Sequence, residues 1–306
     1  MANMVKQSKN IVKIVGVLVE NSLKQNTYKN KEGKDTEYIS GTLTIRTNQQ
    51  ISGKDEISDI PVSVWVAKYT KEGKVNPAYE SMVKAMNYVS LCVSENESTA
   101  TKVLITSGNI TENIYSIDGE KIYCTPRIQT NFINSVTNPS NYIPEATFTT
   151  DIVVGNIEDE TNPKDGATTG RLKVKGMVCR YNGTMDVIDY VVENPNAINY
   201  IRSYWKTGDT VQISGKIRFN VKTEQIEVPT RFGDPVFKTK TSNCRELIIT
   251  ADSTDALTDE QKFTEAELTA GLDKRKQIIE DAKNKSKKST STPAASPAAA
   301  TNQYGF

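Results

Sequence analysis

From Ile11 to about Asp252 the chain is written in short β-branched runs in which apolar and polar positions alternate, separated by turns rich in Gly, Asn, Asp and Lys. Alternation with a period of two places the apolar residues of each run on one face, and so predicts half-buried strands. Two stretches break the pattern, 76–90 and 195–206. Each opens on Asn-Pro, at Asn76-Pro77 and Asn194-Pro195. A proline in the first turn behind an asparagine is a helix-start signal, so one helix is predicted in each stretch.

The landmarks recur in the same order in both halves, as a divergent duplication requires. Gly41-Thr-Leu-Thr-Ile-Arg46 parallels Gly170-Arg-Leu-Lys-Val-Lys175, and Val62-Ser-Val-Trp-Val-Ala-Lys68 parallels Val187-Ile-Asp-Tyr-Val-Val-Glu193. The Asn-Pro helix starts follow, and then Val103-Leu-Ile-Thr-Ser-Gly-Asn-Ile110 parallels Val211-Gln-Ile-Ser-Gly-Lys-Ile217. Each copy is therefore ordered strand, strand, strand, helix, strand, strand. That order fits an OB fold, a five-stranded Greek-key barrel with a helix between its third and fourth strands. The predicted fold is all-β: two tandem OB barrels at 11–136 and 147–252, behind an arm at 1–10 and joined by a linker at 137–146. In this alignment Gly108 falls on Gly215 and Trp65 on Tyr190.

After Asp252 the composition changes. Thr258-Asp-Glu-Gln261 and Thr264-Glu-Ala-Glu267 have the form of capping boxes, and Leu268, Leu272 and Ile279 make one apolar stripe, which predicts a helix within 253–285. Residues 286–306, with Ser289-Thr-Ser-Thr-Pro-Ala-Ala-Ser-Pro-Ala-Ala-Ala300, are too simple in composition to build a core and are predicted to be a disordered tail.

Composition narrows the chemistry. The 306 residues carry 38 basic and 37 acidic side chains, a balance that points to no partner by itself, and 37% hydrophobic content suits a soluble globular chain. Histidine is absent. That removes His-based acid–base catalysis, Ser-His and Cys-His nucleophile pairs and the commonest metal ligand. The four cysteines, Cys92, Cys124, Cys179 and Cys244, lack C-x-x-C spacing, so no zinc knuckle or disulfide framework is suggested. The apolar run 11–19 is interrupted by Lys13 and too short to span a bilayer. A cytoplasmic protein without a cofactor and away from membranes is expected.

No catalytic constellation assembles. Ser81-x-x-Lys84 and Lys206-Thr-Gly208 superficially match penicillin-binding enzymes, but the Ser-Asp-Asn element is missing. Gly166-Ala-Thr-Thr-Gly170 lacks the spacing and the lysine of a phosphate loop, and Glu158-Asp159-Glu160 suits a solvated turn.

A binding surface is easier to derive. With Leu172 and Val174 facing inward, Arg171, Lys173 and Lys175 form a row on the other face of their strand, and Lys216 and Arg218 extend it on the fourth strand; the first copy offers Arg46, Lys68 and Lys102. Backbone phosphates need such charges at intervals along a groove, although each one also suits an ordinary solvated face. Valines 62, 64 and 66 share one face, which turns Trp65 the other way, and the duplication puts Tyr190 in the same place. Large rings there are either base-stacking platforms or packing caps. Tyr115 and Phe219 are further candidates, while Trp205 among Tyr200, Ile201 and Tyr204 is expected in the core.

The segment Asn199-Tyr-Ile-Arg-Ser-Tyr-Trp-Lys-Thr-Gly-Asp-Thr-Val-Gln-Ile-Ser-Gly-Lys-Ile-Arg218 resembles bacterial and phage single-stranded-DNA-binding proteins, where a Tyr-x-Lys-x-Gly turn leads into V-x-V-x-G-x-[IL]-R. The resemblance covers 147–252 well and 11–136 more faintly. It implies an OB fold, binding of single-stranded DNA with little sequence preference in replication or recombination, and a tail that docks replication or recombination partners, here through Tyr304 and Phe306. That family usually carries one OB domain per chain and an acidic tip, whereas this chain has two copies and no Asp or Glu in its last eighteen residues. Residues 274–288, with seven basic and two acidic side chains, offer an alternative contact to nucleic acid. The competing expectation is a structural or adaptor protein that uses its barrels for protein contacts.

Overall fold

The first barrel closes because its opening strand, β1 (Asn10–Asn21), pairs on both sides, with β3 (Asp35–Ile51) on one edge and β5 (Lys102–Ser116) on the other. In the computed structural model, which describes residues 6–290 apart from 31–32, 71, 164, 229–231, 233–235 and 254–256, the cycle is completed by β4 (Lys54–Ala67) beside β3 and β6 (Ile122–Gln129) beside β5. β4 and β6 meet in parallel and every other pair is antiparallel. Two short strands flank the cycle, β2 (Lys24–Lys29) on β3 and β7 (Asn134–Ser135) on β5. The β3–β4 turn is Ser52-Gly53 with φ of 50° and 79°, the left-handed pair that a two-residue hairpin needs.

Between β4 and β5 lie α1 (Pro77–Ala85) and α2 (Leu91–Ser94). Asn76 caps α1 by accepting from the Ala78 amide at 3.0 Å, and Met82 and Ala85 face the core. The helix predicted within 76–90 is α1, which stops at Ala85, and α2 follows just beyond that stretch.

The second barrel repeats the cycle with β8 (Glu145–Thr161), β9 (Thr168–Cys179), β10 (Met185–Val192), β11 (Thr210–Val228) and β12 (Val236–Asp252), with α3 (Pro195–Tyr204) between β10 and β11. β8 pairs with β9 and β11, β9 with β10 and β11 with β12, all antiparallel, while β10 and β12 are parallel. Asn194 caps α3 through the Asn196 and Ala197 amides. Both closed cycles, with a parallel third–fifth pair and a helix before the fourth strand, have the OB topology.

The two barrels share one sheet. β1 pairs antiparallel with β8, from Asn10 opposite Thr150 to Val15 opposite Glu145. Val12 and Phe148 face each other there, and each also faces the glycine of its own fourth strand, Gly108 and Gly215. The barrels are therefore related by an approximate two-fold about this pair. A Cβ on Gly215 would stand 2.5 Å from the Phe148 ring, so only glycine lets β11 approach it. Gln49 stitches the junction, donating to the Ile217 carbonyl at 2.8 Å and accepting from the Ala146 amide at 3.0 Å. One apolar core runs through both barrels, from Val12 and Ile14 to Leu247 and Ile249.

α4 (Glu265–Thr290) straps across the back. Of the two predicted capping boxes, Thr264–Glu267 opens the helix, with the Thr264 amide donating to Glu267 at 2.8 Å; Thr258–Gln261 closes only a turn. The helix begins later than 253 and ends five residues beyond 285. Phe263, Leu268 and Leu272 pack on Val153, Met177 and Met185 of the second barrel. Farther along, Arg275 grips Glu112 of β5 with two bonds of 2.6 Å, and Ser286 donates to the Ile117 carbonyl, so the helix crosses from one barrel to the other. Among the described residues no helix is long and apolar enough to cross a membrane.

Candidate nucleic-acid interface

On β4 the alternation does what the sequence implies. Val62, Val64 and Val66 are buried and Trp65 between them is 57% exposed on the outer face of the first barrel. Ser40 of β3 is opposite Trp65, which leaves Tyr38 as its diagonal neighbour, and β2 places Tyr28 alongside. The three rings form a cluster with centroids 5.6 Å (Tyr28–Tyr38), 5.7 Å (Tyr38–Trp65) and 6.1 Å (Tyr28–Trp65) apart. Because β4 and β6 are parallel here, Ser63 lies beside Gln129, and the same outward row of β6 then carries Arg127, Thr125 and Tyr123. Trp65, Ser63, Arg127 and Gln129 line one open cavity of about 500 Å³.

At the far end of that row Tyr123 stacks on Tyr115, its partner across the β5–β6 hairpin, with centroids 5.3 Å apart and planes 16° from parallel. Lys121 lies 5.2 Å over the Tyr123 ring. Burial, and then the like charge of Arg180, outweigh the attraction of Asp186 and hold the Arg127 guanidinium below its ordinary affinity for protons. Its hydrogen-bond partner is the neutral amide of Gln129. An arginine held this way gains from an arriving anion more than one already paired with a carboxylate.

Most other predicted cations are already occupied. Arg46 makes a two-pronged pair with Asp59 at 2.7 and 2.8 Å, Lys68 meets Glu37 at 3.0 Å and Lys175 meets Asp189 at 2.9 Å. Lys216 donates to the Gln50 carbonyl across the junction. Lys102 lies over the Tyr142 ring. Lys173 stands half-buried on the outward row of β9.

Arg171 and Arg218 do not form a basic row. Arg171 binds Glu160 at 2.6 Å, Glu193 at 3.0 Å and Glu246 at 2.8 Å, and Arg218 binds Glu56, Glu193 and Glu246 at 2.6–2.9 Å. The network joins β4 of the first barrel to the second. Strand alternation put both arginines on the outward face correctly, but their carboxylate partners come from distant strands that no local pattern connects.

Two rings are corrected by the structure. Tyr190 is fully buried, 5.7 Å from Phe148, and Phe219 is buried on β11 with Arg245 over its ring. The reason for the first is register. Leu43 pairs with Val62 in the first barrel and Leu172 with Val192 in the second, so Ile60 rather than Trp65 corresponds to Tyr190. The alignment slipped by five residues, and an odd slip turns a side chain to the opposite face. Tyr115, at 39% exposed, is on the surface, and Trp205 is in the core. Tyr304 and Phe306 lie outside the described residues. Tyr28, Tyr38, Lys121, Tyr123 and Arg127 went unnoticed in the sequence; applying the face argument for Trp65 to the adjoining strand would have found Tyr38.

Among solved structures, similarity extends to the single-stranded DNA binding protein from Thermus aquaticus, with 12% identity and a TM-score of 0.45 over 82% of this chain and 95% of that one. It extends more weakly to a Replication Protein A heterotrimer bound to ssDNA, with 8% identity and a TM-score of 0.21 over 90% of this chain and 70% of that one. No curated protein matches in sequence. Residues 9–285, nearly the whole of both barrels and the strap helix, match the family described as YorF, and the chain belongs to that family.

Proposed function

We propose that the protein is a phage-encoded single-stranded-DNA-binding protein without catalytic activity, which coats DNA strands during replication or recombination in the cytoplasm. The observation that carries this reading is the outer face of the first barrel, where three clustered rings, an arginine hydrogen-bonded to a neutral amide and a stacked tyrosine pair follow one another along adjacent strands. Exposed rings give every base a face to stack on, whatever its identity, and a nearby guanidinium takes up phosphate charge. From Trp65 to Tyr123 the row covers about eight strand positions, roughly 26 Å at 3.3 Å per residue, enough for several nucleotides. Replication or recombination proteins docking at Tyr304 and Phe306 belong to the same proposal.

The test is a fluorescence titration of the full chain with oligo-dT, duplex DNA and RNA over a range of salt. Trp65 is the exposed one of the two indoles, so stacking quenches it while Trp205 stays shielded. Quenching by oligo-dT that weakens as salt rises supports the reading. Tighter binding to duplex, or no binding with intact folding, would replace it with a protein adaptor.

A further inference from the structure

We propose that single-stranded nucleic acid is held by the first barrel alone, over Tyr28, Tyr38, Trp65, Arg127 and Tyr123, and that the matching face of the second barrel is closed to it by internal carboxylates. This rests on the nucleic-acid reading above and adds which half of the chain does the binding.

The barrels share topology but not surface. Three positions beyond the Leu43–Val62 pair, β4 is still a strand and presents Trp65; three positions beyond the matching Leu172–Val192 pair, the chain has reached Pro195, the first residue of α3. The position matching Tyr38, five before Leu43, is Ala167, five before Leu172. The outward rows of β9 and β10 carry Arg171, Lys173, Lys175, Val187, Asp189 and Val191, with no ring among them. The stacking platform therefore has no counterpart there.

Charge separates the faces further. Arg171 and Arg218 are two cations held among four glutamates, Glu56, Glu160, Glu193 and Glu246, so the cluster is negative overall and already supplies the oxygens a phosphate would offer. Asp189 does the same for Lys175. A phosphate entering there would displace a carboxylate and leave it beside the incoming strand, which costs more than filling a vacant position. On the first barrel Arg127 hydrogen-bonds the Gln129 amide, and among the described residues it makes no ion pair with a carboxylate that would have to leave.

The experiment compares variants of the full chain for oligo-dT binding and maps crosslinks from oligo-dT carrying 5-iodouracil. Trp65→Ala is expected to weaken binding roughly 5- to 150-fold, the loss of one stacked base. Lys173→Ala together with Lys175→Ala is expected to change it by less than about twofold, since neither cation meets a phosphate. Crosslinked peptides are expected from residues 24–129. Equal losses in the two variants, or crosslinks of comparable yield from 145–252, including the exposed Phe232 and Phe237, would overturn the one-barrel assignment while leaving DNA binding in place. If the native chain binds no oligo-dT, both the function and the assignment fall together.

Discussion

Tyr190 lies so close over Gly176 of the neighbouring strand that a Cβ at position 176 would stand 2.8 Å from the Tyr190 Cε2. The ring fills the centre of the second barrel against Phe148, and the missing side chain on β9 makes room for it. Gly176→Ala is therefore expected to force the ring or the strand aside and lower the melting temperature. Tyr190→Ala empties the site, and loss of a large buried ring costs about 3–5 kcal/mol of stability. Chemical denaturation of both variants checks this. Unchanged stability in either would show that the barrel centre adapts more easily than this packing allows.

Arg127 is predicted to contact a phosphate. Each phosphate neutralised on a single strand contributes a slope of about −0.7 to the plot of log affinity against log salt. Arg127→Ala should reduce the magnitude of the slope by about that amount. An identical slope with weaker binding would instead assign Arg127 a role in positioning β6.

The carboxylates of the junction set the acid response. Burial pushes the Glu193 carboxyl up, but hydrogen bonds from Arg218, Ser52 and Arg171 outweigh it and hold it down to about 2. Burial likewise raises Glu246, and Arg171 and Arg218 bring it net downward; Glu160 is lowered chiefly by Arg171. A carboxylate whose folded value is depressed contributes stability above its unfolded value that is lost as pH falls through the folded one. Resistance to urea should therefore decline from the ordinary glutamate value of 4.5 towards about 2. Glu193→Gln should flatten part of that decline, and an unaltered acid profile in this variant would refute the assignment.

Glu112 and Arg275 form the other high-stakes pair. The Glu112 side chain is 1% exposed and, besides Arg275, accepts from the Val187 amide at 3.1 Å, so one carboxylate ties β5, β10 and α4 together. Removing Arg275 would leave a buried charge short of its partner, at a typical cost of about 3–5 kcal/mol. Arg275→Leu should lower the urea midpoint strongly, and adding Glu112→Gln should recover part of the loss. If the second change deepens the loss instead, the pair is not the main bond between strap and barrel.

How much was legible in the chain follows the range of each interaction. Strand alternation, the Asn-Pro caps at 76 and 194, the capping box at 264 and the glycines at 108 and 215 are local signals, and they were enough to order the elements as two OB barrels and to turn Trp65 outward. Register is not local. The five-residue slip that matched Trp65 with Tyr190 is invisible in a pattern of period two until cross-strand partners are known, and it separates a surface ring from a core ring. Charge state was hidden for the same reason. Arg171, Lys173 and Lys175 look alike on one strand, but Glu56, Glu193 and Glu246 reach Arg171 and Arg218 from strands up to 162 residues away, across a junction made when β1 pairs with β8. Alternation, helix caps and turn glycines are written within a few residues, so the sequence alone determined the barrels; which face remains open to a ligand depends on side chains brought together only when the two barrels close on each other, and only the tertiary structure decided that.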